Sequence, residues 1–329
     1  MDYSALMAQA DELSLLGLGK TSPNPIVGAL IVDESGYVIA QDFHDGGLHA
    51  EAKVIKKVGE IPKGATLITT LEPCNHHGKT PPCSELIIDS GIRKVVYSVS
   101  DQNLVAKGGA DRLKSAGIEV VGGVLKERVS HSNRFWLNKI ANHRPYFIWK
   151  IGMTLDGKIS AQDGSSKWIT SEASRMQVSK LRGQSDLILI GTGTALADNP
   201  SLNSKEENAN QPKRLVMGNR VIPNTHNLND GTAPTFFLQS HKISDLLDLL
   251  EKLEVNQVLV ESGATLGTFL VKSDVVDEIH IYLNPSLLGT GQSFIGDLGI
   301  NSLENRINFK IYSSEIVDTD LKIILVRDQ

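Results

Sequence analysis

His49, Glu51, Cys74 and Cys83 carry the most chemistry in this 329-residue sequence. They stand in His49-Ala50-Glu51, Pro73-Cys74 and Pro82-Cys83. One imidazole and two thiolates are three ligands for zinc, and a catalytic zinc site keeps its fourth position open for water. Zinc lowers the pKa of a bound water to about 7, so a hydroxide nucleophile is available at neutral pH. Glu51 is surplus to the ligand set. Beside the open position its carboxylate would move protons.

Cys74 and Cys83 are the chain's 2 cysteines, and both fall in this constellation. A disulfide is the plain alternative. The first twenty residues hold Asp2, Asp11 and Glu12 and no basic n-region of a secretory signal. The chain therefore reads as cytoplasmic, where a lone disulfide is unexpected. A closed Cys2His2 site using His76 and His77 is the sharper rival, but such a site has no use for Glu51. The interval between the cysteines forms a polar loop, a natural place for substrate contacts. The combination resembles the His-x-Glu and Pro-Cys pattern of zinc-dependent nucleobase deaminases.

These residues need elements to hold them. Helical periodicity runs over 3–18. Apolar runs at 28–33 and 37–43, parted by Glu34-Ser35-Gly36, predict a hairpin. A helix is expected over 49–58, a strand over 65–70, and a helix over 83–90 that starts after Pro82 and stops at Gly91. A strand at 94–100, a helix at 110–116, a strand at 118–121 and a single helix at 127–141 follow. His49 and Cys83 then sit at helix N-termini, where the field favours thiolate over thiol.

Asn142-His143-Arg144-Pro145 marks a boundary, which predicts domains 1–144 and 145–329. The second half reads as strands at 146–153, 187–190, 214–217, 257–260, 278–283, 309–313 and 321–326, with helices at 171–181, 243–253 and 264–271. Strands alternating with helices indicate an α/β fold in both halves. Two glycine-containing turns follow strands, at Gly191–Thr194 and at Glu261–Gly267. Such turns present free N–H groups and suit phosphate, although most are only tight turns. Neither has the Gly-x-Gly-x-x-Gly spacing of a Rossmann fingerprint. Lys150, Arg182 and Lys205 could meet a phosphate or simply be solvated. Trp168 could stack on a ring or pack.

Composition narrows the partners. A formal net charge of −5 gives no basic footprint for nucleic acid. No apolar run reaches the length of a membrane helix, and no repeat of solenoid period is present. A chain of this size fits a symmetric homo-oligomer.

With these residues in place, the chain resembles the bifunctional riboflavin-biosynthesis pyrimidine deaminase/reductase family over nearly its whole length. The first half carries Pro23-Asn24-Pro25-x-Val27-Gly28, His49-Ala50-Glu51 and the run Leu71 to Cys83. The second carries Leu155-Asp156-Gly157-Lys158, Ser166-Lys167-Trp168-Ile169-Thr170, Gly193-Thr194, Ala197-Asp198-Asn199-Pro200, Glu261-Ser262-Gly263 and Leu287-Leu288-Gly289. The resemblance implies a cytidine-deaminase-like three-layer N-terminal domain and a dihydrofolate-reductase-like C-terminal domain. It implies zinc on His49, Cys74 and Cys83, with Glu51 as the proton carrier. The first domain would deaminate 2,5-diamino-6-ribosylamino-4(3H)-pyrimidinone 5′-phosphate, and the second would reduce the ribosyl group to ribityl with NADPH.

The resemblance also implies contacts. Asn24, His44, His76, Lys79 and Thr80 become candidate substrate contacts in the first half. Lys150, Ser166, Arg182, Leu202, Lys205 and Glu261 become such candidates in the second. Met153, Trp168, Thr194, Asp198 and the turn Gly263, Ala264, Thr265, Leu266 and Gly267 become candidates for NADPH. Lys205 stands where the family has Arg, keeping the charge without the bidentate fork. Met217-Gly218-Asn219 replaces a Leu/Ile-Asp-Ser segment, and Asp101-Gln102-Asn103-Leu104 replaces Asp-Pro-Asn-Pro. Three other readings stand beside this one: a deaminase with a degenerate reductase half, a nucleic-acid-editing deaminase, and a zinc-stabilised scaffold.

Overall fold

A computed structural model describes residues 1–77 and 81–328. The chain separates into two compact units, Met1–His143 and Arg144–Gln329.

Unit 1 is built from α1 (Tyr3–Ser14), β1 (Gly28–Val32), β2 (Val38–Phe43), α2 (Ala50–Val58), β3 (Thr66–Leu71), α3 (Cys83–Ser90), β4 (Lys94–Val99), α4 (Gly109–Ser115), β5 (Glu119–Val121), α5 (Lys126–Ser132) and α6 (Arg134–Asn142). Its sheet runs β2-β1-β3-β4-β5. The β1–β2 hairpin is antiparallel and β1 runs antiparallel to β3, while β3, β4 and β5 are parallel. Every residue of β1 and of β3 is buried, as expected of strands covered on both faces. Helix α1 lies against β1 and β3 and touches α5, while α2 lies against β1 and β2 and touches α3. The apolar centre combines Met7 and Ala10 of α1, Leu30 and Ile31 of β1, Val54 of α2 and Ile68 of β3.

The segment expected as one helix over 127–141 is two. Asn133 breaks it at φ −92°, ψ 13°. Its side chain accepts from the Ile26 N–H at 3.1 Å and donates to the Ile26 carbonyl at 2.9 Å. That pair of bonds satisfies the backbone just before β1 and outweighs the last turn's helical continuity, an Asn choosing local backbone partners over the helix.

Unit 2 comprises β6 (Tyr146–Thr154), β7 (Lys158–Ser160), α7 (Glu172–Gly183), β8 (Leu187–Gly191), α8 (Thr192–Asp198), β9 (Lys213–Met217), β10 (Thr235–Leu238), α9 (Ile243–Lys252), β11 (Gln257–Val260), α10 (Ala264–Lys272), β12 (Val276–Asn284), β13 (Gln292–Ser293), β14 (Phe309–Val317) and β15 (Asp320–Arg327). The main sheet is ordered β10-β9-β8-β11-β6-β12-β15-β14. Its first six strands are mutually parallel, and the β15–β14 hairpin closes one end antiparallel. Phe147, Trp149, Leu189, Val258 and Leu270 centre its core. The short elements β7, α8, β10 and β13 lay outside the sequence reading.

The strand order decides where ligands can gather. From β8 the chain moves outward to β9, while from β11 it crosses β6 to β12. Connections diverge between β8 and β11, and such a switch point at the carboxyl ends of parallel strands opens a crevice. The turns after β8 and β11, both singled out by sequence, lie at that point.

Candidate active sites

In unit 1 the strand–loop–helix path from β3 to α3 and the start of α2 bring three ligand atoms together. His49 Nδ1 and the two cysteine sulfurs all lie within 4.8 Å of one another. Nδ1 is 3.2 Å from Cys83 Sγ and 3.6 Å from Cys74 Sγ. Tetrahedral zinc with the usual Zn–N and Zn–S lengths places N and S about 3.5 Å apart, so the set fits the ion. His49 caps α2 and Cys83 is the first residue of α3. The Cys83 N–H reaches Cys74 Sγ at 3.4 Å.

The electrostatics favour one shared thiolate. The Cys83 hydrogen bond, against burial and helped by His49, lowers the Cys74 thiol to about 4. The same bond and burial push the Cys83 thiol up. Bonding to Cys74 raises His49 to about 9 against burial. Glu51 is 4% exposed, in the first turn of α2. Burial raises its carboxyl to about 7, opposed by the His49 charge. A carboxyl tuned to neutral pH is suited to take and return a proton.

Around this centre two imidazole nitrogens, Nε2 of His44 and Nδ1 of His76, are buried with no hydrogen-bond partner among the described residues. His44 is held through Nδ1 to the Leu48 carbonyl at 3.1 Å, and its ring stands 5.5 Å from that of His49, edge to face. Burial lowers its pKa and keeps it neutral. Asn24 lies before β1, its N–H bonded to the Thr21 carbonyl at 2.8 Å. Lys79 and Thr80 lie outside the described residues.

Several positioning residues escaped the sequence reading. Glu72 accepts from the N–H groups of Ala110 at 3.0 Å and Asp101 at 3.2 Å. This ties the Pro73-Cys74 turn to α4. A Cβ on Gly109 would stand 1.7 Å from the Pro73 carbonyl oxygen, so only glycine permits that approach. Asn75 Oδ1 accepts from Ser84 and from Arg112, which also grips Glu85. Glu72 and Asn75 flank the cysteine in sequence, which was a usable signal. Gly109 and Arg112 carried none.

In unit 2 a buried charge cluster forms from three strand and helix positions. Arg182 of α7 binds Glu261 through Nε to Oε1 at 2.6 Å and Nη2 to Oε2 at 2.9 Å. Lys150 of β6 reaches Glu261 Oε2 at 3.1 Å. Burial opposes the charge on Glu261, yet Arg182 and Lys150 hold its pKa at about 2. Desolvation works against the Arg182 charge, and Glu261 more than restores it. Lys205 is exposed, its N–H bonded to Ser179 Oγ at 2.6 Å. Leu202 is buried at φ 57°, so only its backbone can meet a ligand. Ser166 is half-buried in the loop after β7.

The candidates for a dinucleotide surround the switch point. Met153 is the penultimate residue of β6, Thr194 and Asp198 lie on α8, and Gly263 caps α10. Ala264 is buried, Leu266 half-buried and Thr265 exposed. The Ser262 hydroxyl, absent from the expected contact set, is buried beside this turn with no hydrogen-bond partner among the described residues. An orphan hydroxyl next to the free N–H groups that open α10 suits a phosphate-bearing cofactor. Trp168 is 70% exposed and carries the Arg175 guanidinium 4.4 Å above its ring. Gly267 packs beneath Trp149, where a Cβ would stand 2.1 Å from Cζ2. Its role is to seat α10 on the sheet. Asp156 anchors the neighbouring loop by accepting from Gly289 N–H at 2.7 Å and Leu288 N–H at 3.2 Å.

Fold and site define a zinc-binding, cytidine-deaminase-like unit joined in one chain to a second α/β unit of reductase type. Comparison supports both parts. The zinc-binding region of cytidine and deoxycytidylate deaminases matches residues 1–99, and the RibD C-terminal domain matches 145–323. The riboflavin biosynthesis protein RibD of Actinobacillus pleuropneumoniae is 38% identical over 98% of this chain and 93% of its own length. That of Mycobacterium tuberculosis H37Rv is 38% identical over 97% and 96%. A Thermotoga maritima structure described as a diaminohydroxyphosphoribosylaminopyrimidine deaminase/5-amino-6-(5-phosphoribosylamino)uracil reductase superposes with a TM-score of 0.91 at 32% identity, covering 99% of both chains. Acinetobacter baumannii RibD gives 0.91 at 31% identity and the same coverage. The chain belongs to the RibD family of bifunctional deaminase/reductases of riboflavin biosynthesis.

Proposed function

We propose that residues 1–144 deaminate a diaminohydroxyphosphoribosylaminopyrimidine and that residues 145–329 reduce the resulting 5-amino-6-(5-phosphoribosylamino)uracil with NADPH. The observation that carries this is Glu51, buried beside three atoms that fit zinc, with its carboxyl raised to about 7.

His49, Cys74 and Cys83 would hold zinc, which would supply a water acidic enough to attack near neutral pH. Glu51 would take a proton from the attacking water and return one to the departing amine. The ring carbon gains oxygen and loses ammonia, with no net change at Glu51. His44, fixed in one tautomer by the Leu48 carbonyl, offers Nε2 as an acceptor to the pyrimidine, and His76 and Asn24 complete the described part of the cradle. Lys79 and Thr80 are proposed as further contacts.

In the second half a bound nicotinamide would supply hydride, and the protein would position the partners. Arg182 and Lys205 bring positive charge to the substrate phosphate, while Glu261, kept ionised, orients Lys150 and accepts from ribosyl hydroxyls. Ser166 and the Leu202 backbone add polar contacts. Met153, Trp168, Thr194, Asp198 and the turn 263–267 take the dinucleotide, the last through the N–H groups that open α10.

A net charge of −5 supports small-molecule substrates over nucleic acid. Among the described residues no helix is long and apolar enough to cross a membrane. We place the enzyme in the cytoplasm as a homo-oligomer, on its size and its two free cysteines.

Mass spectrometry after incubating the zinc-loaded chain with the diaminopyrimidine and NADPH tests the reading. A product both deaminated and reduced is expected. A deaminated, unreduced product would overturn the reductase half, and unchanged substrate the whole proposal.

A further inference from the structure

Asp320 is a buried carboxylate that none of the roles above uses. It is the first residue of β15 and 1% exposed. Three groups converge on it from two other elements. Oδ2 accepts from the Ser171 N–H at 2.7 Å and from the Ser174 hydroxyl at 2.6 Å. Oδ1 accepts from Nδ2 of Asn284, the last residue of β12, at 2.8 Å. Burial works against the Asp320 charge, and these bonds still hold its pKa below the ordinary carboxylate value. Ser171 is the N-cap of α7 and Ser174 lies in its first turn. An anion at a helix N-terminus is commonly only a stabilising device. What α7 carries sets this one apart.

The first turn of α7 holds the segment before it. Arg175, next to Ser174, donates from Nη1 to the Thr170 carbonyl at 2.6 Å and lies 4.4 Å above the Trp168 ring. Gly152 of β6 completes the seat. A Cβ there would stand 3.2 Å from Thr170 Cγ2, so the missing side chain lets the segment lie close to the sheet. Ser166 and Trp168, assigned above to substrate and dinucleotide, stand in that segment. Further along, α7 carries Arg182, which Glu261 binds. Two buried carboxylates from the sheet therefore pin α7, Asp320 at its start and Glu261 near its end.

We propose that Asp320 is a positioning residue of the reductase unit: by fixing the first turn of α7 it holds Ser166–Thr170 where that segment meets the ribosyl substrate and the dinucleotide. The proposal rests on the reading of Ser166 and Trp168 as contacts. Ordering a segment costs conformational entropy, and a segment ordered before the ligand arrives spares binding that cost. Trp168 is 70% exposed, so its own burial does little to hold it. Asp320 acts through the helix turn, so its effect falls on binding and not on the hydride step.

Asp320→Asn in the full zinc-loaded chain keeps the shape of the side chain. Its oxygen can still take the Asn284 bond, while the amide nitrogen in place of Oδ2 leaves the buried Ser171 N–H with no acceptor. Calorimetric titration should show NADPH bound about tenfold more weakly. KM for 5-amino-6-(5-phosphoribosylamino)uracil should rise by a similar factor, with kcat within about threefold of native. Deamination should be unchanged, since the first unit is separately compact. Ser174→Ala removes one bond of the three and should show a smaller loss of NADPH affinity. Leu250→Ala, a core truncation on α9, lowers stability by another route and should keep the native affinity. Native NADPH affinity in Asp320→Asn, whatever its unfolding midpoint, would overturn the proposal. So would native affinity in Ser174→Ala, should Asp320→Asn fail to fold. An equal loss in Leu250→Ala, or a fall in kcat at unchanged KM, would overturn it too. A native chain that binds no NADPH would remove the dinucleotide reading and this proposal with it.

Discussion

Glu261→Gln is the most informative single substitution in the second unit. The side chain is buried with two cations on it, Arg182 by two hydrogen bonds and Lys150 at 3.1 Å. Its pKa falls from 4.5 to about 2 on folding. At about 1.4 kcal/mol per pH unit that interval is worth about 3 kcal/mol at neutral pH. Glutamine keeps the shape and some hydrogen bonding but leaves two cations facing each other, a loss of about 3–5 kcal/mol when one partner of a buried pair is removed. The sign in acid follows. The folded value is depressed, so the contribution is complete above pH 4.5 and disappears as pH falls towards about 2. Urea unfolding followed by tryptophan fluorescence, with Trp136→Phe in both proteins, reads the second unit, because Trp149 and Trp168 lie in it and Trp136 lies in the first. At pH 7 the variant should unfold at markedly lower urea than the native chain, and the two should converge only as pH approaches about 2. Matching midpoints at pH 7, with parallel acid dependence, would refute the charge argument. The same variant should also lose ribosyl reduction.

Three further outcomes follow from particular contacts. Glu51→Gln should lower ammonia release by about 10²–10⁴-fold while the zinc content measured by metal analysis stays that of the native chain; retained activity would remove the proton-carrying role. Cys83→Ser should lose both zinc and deamination yet still consume NADPH with the deaminated substrate, because the two units are separately compact. Gly267→Ala places a methyl 2.1 Å from Trp149 Cζ2. It should cost about 1–3 kcal/mol by overpacking, read as a shift in the same fluorescence transition.

The sequence by itself determined what is local. His49 and Glu51 stand on one helical turn, and the cysteines sit at the end of a strand and the start of a helix, so their residue types and short spacing already proposed a metal site with a spare carboxylate. The longer strands and helices were also legible, because their periods extend over enough residues to show. The tertiary structure decided what depends on partners distant in the chain. Arg182 and Glu261 are 79 residues apart and meet because β11 inserts between β8 and β6. Asn133 ends a helix whose periodicity continues, because Ile26 offers its backbone. Asp320 gained Ser171 as a neighbour only when β15 was laid beside β12. Periodicity and spacing encode a residue's own backbone and its near neighbours. Sheet order sets the rest, and it comes from packing whole apolar faces, a property no short window of the chain contains.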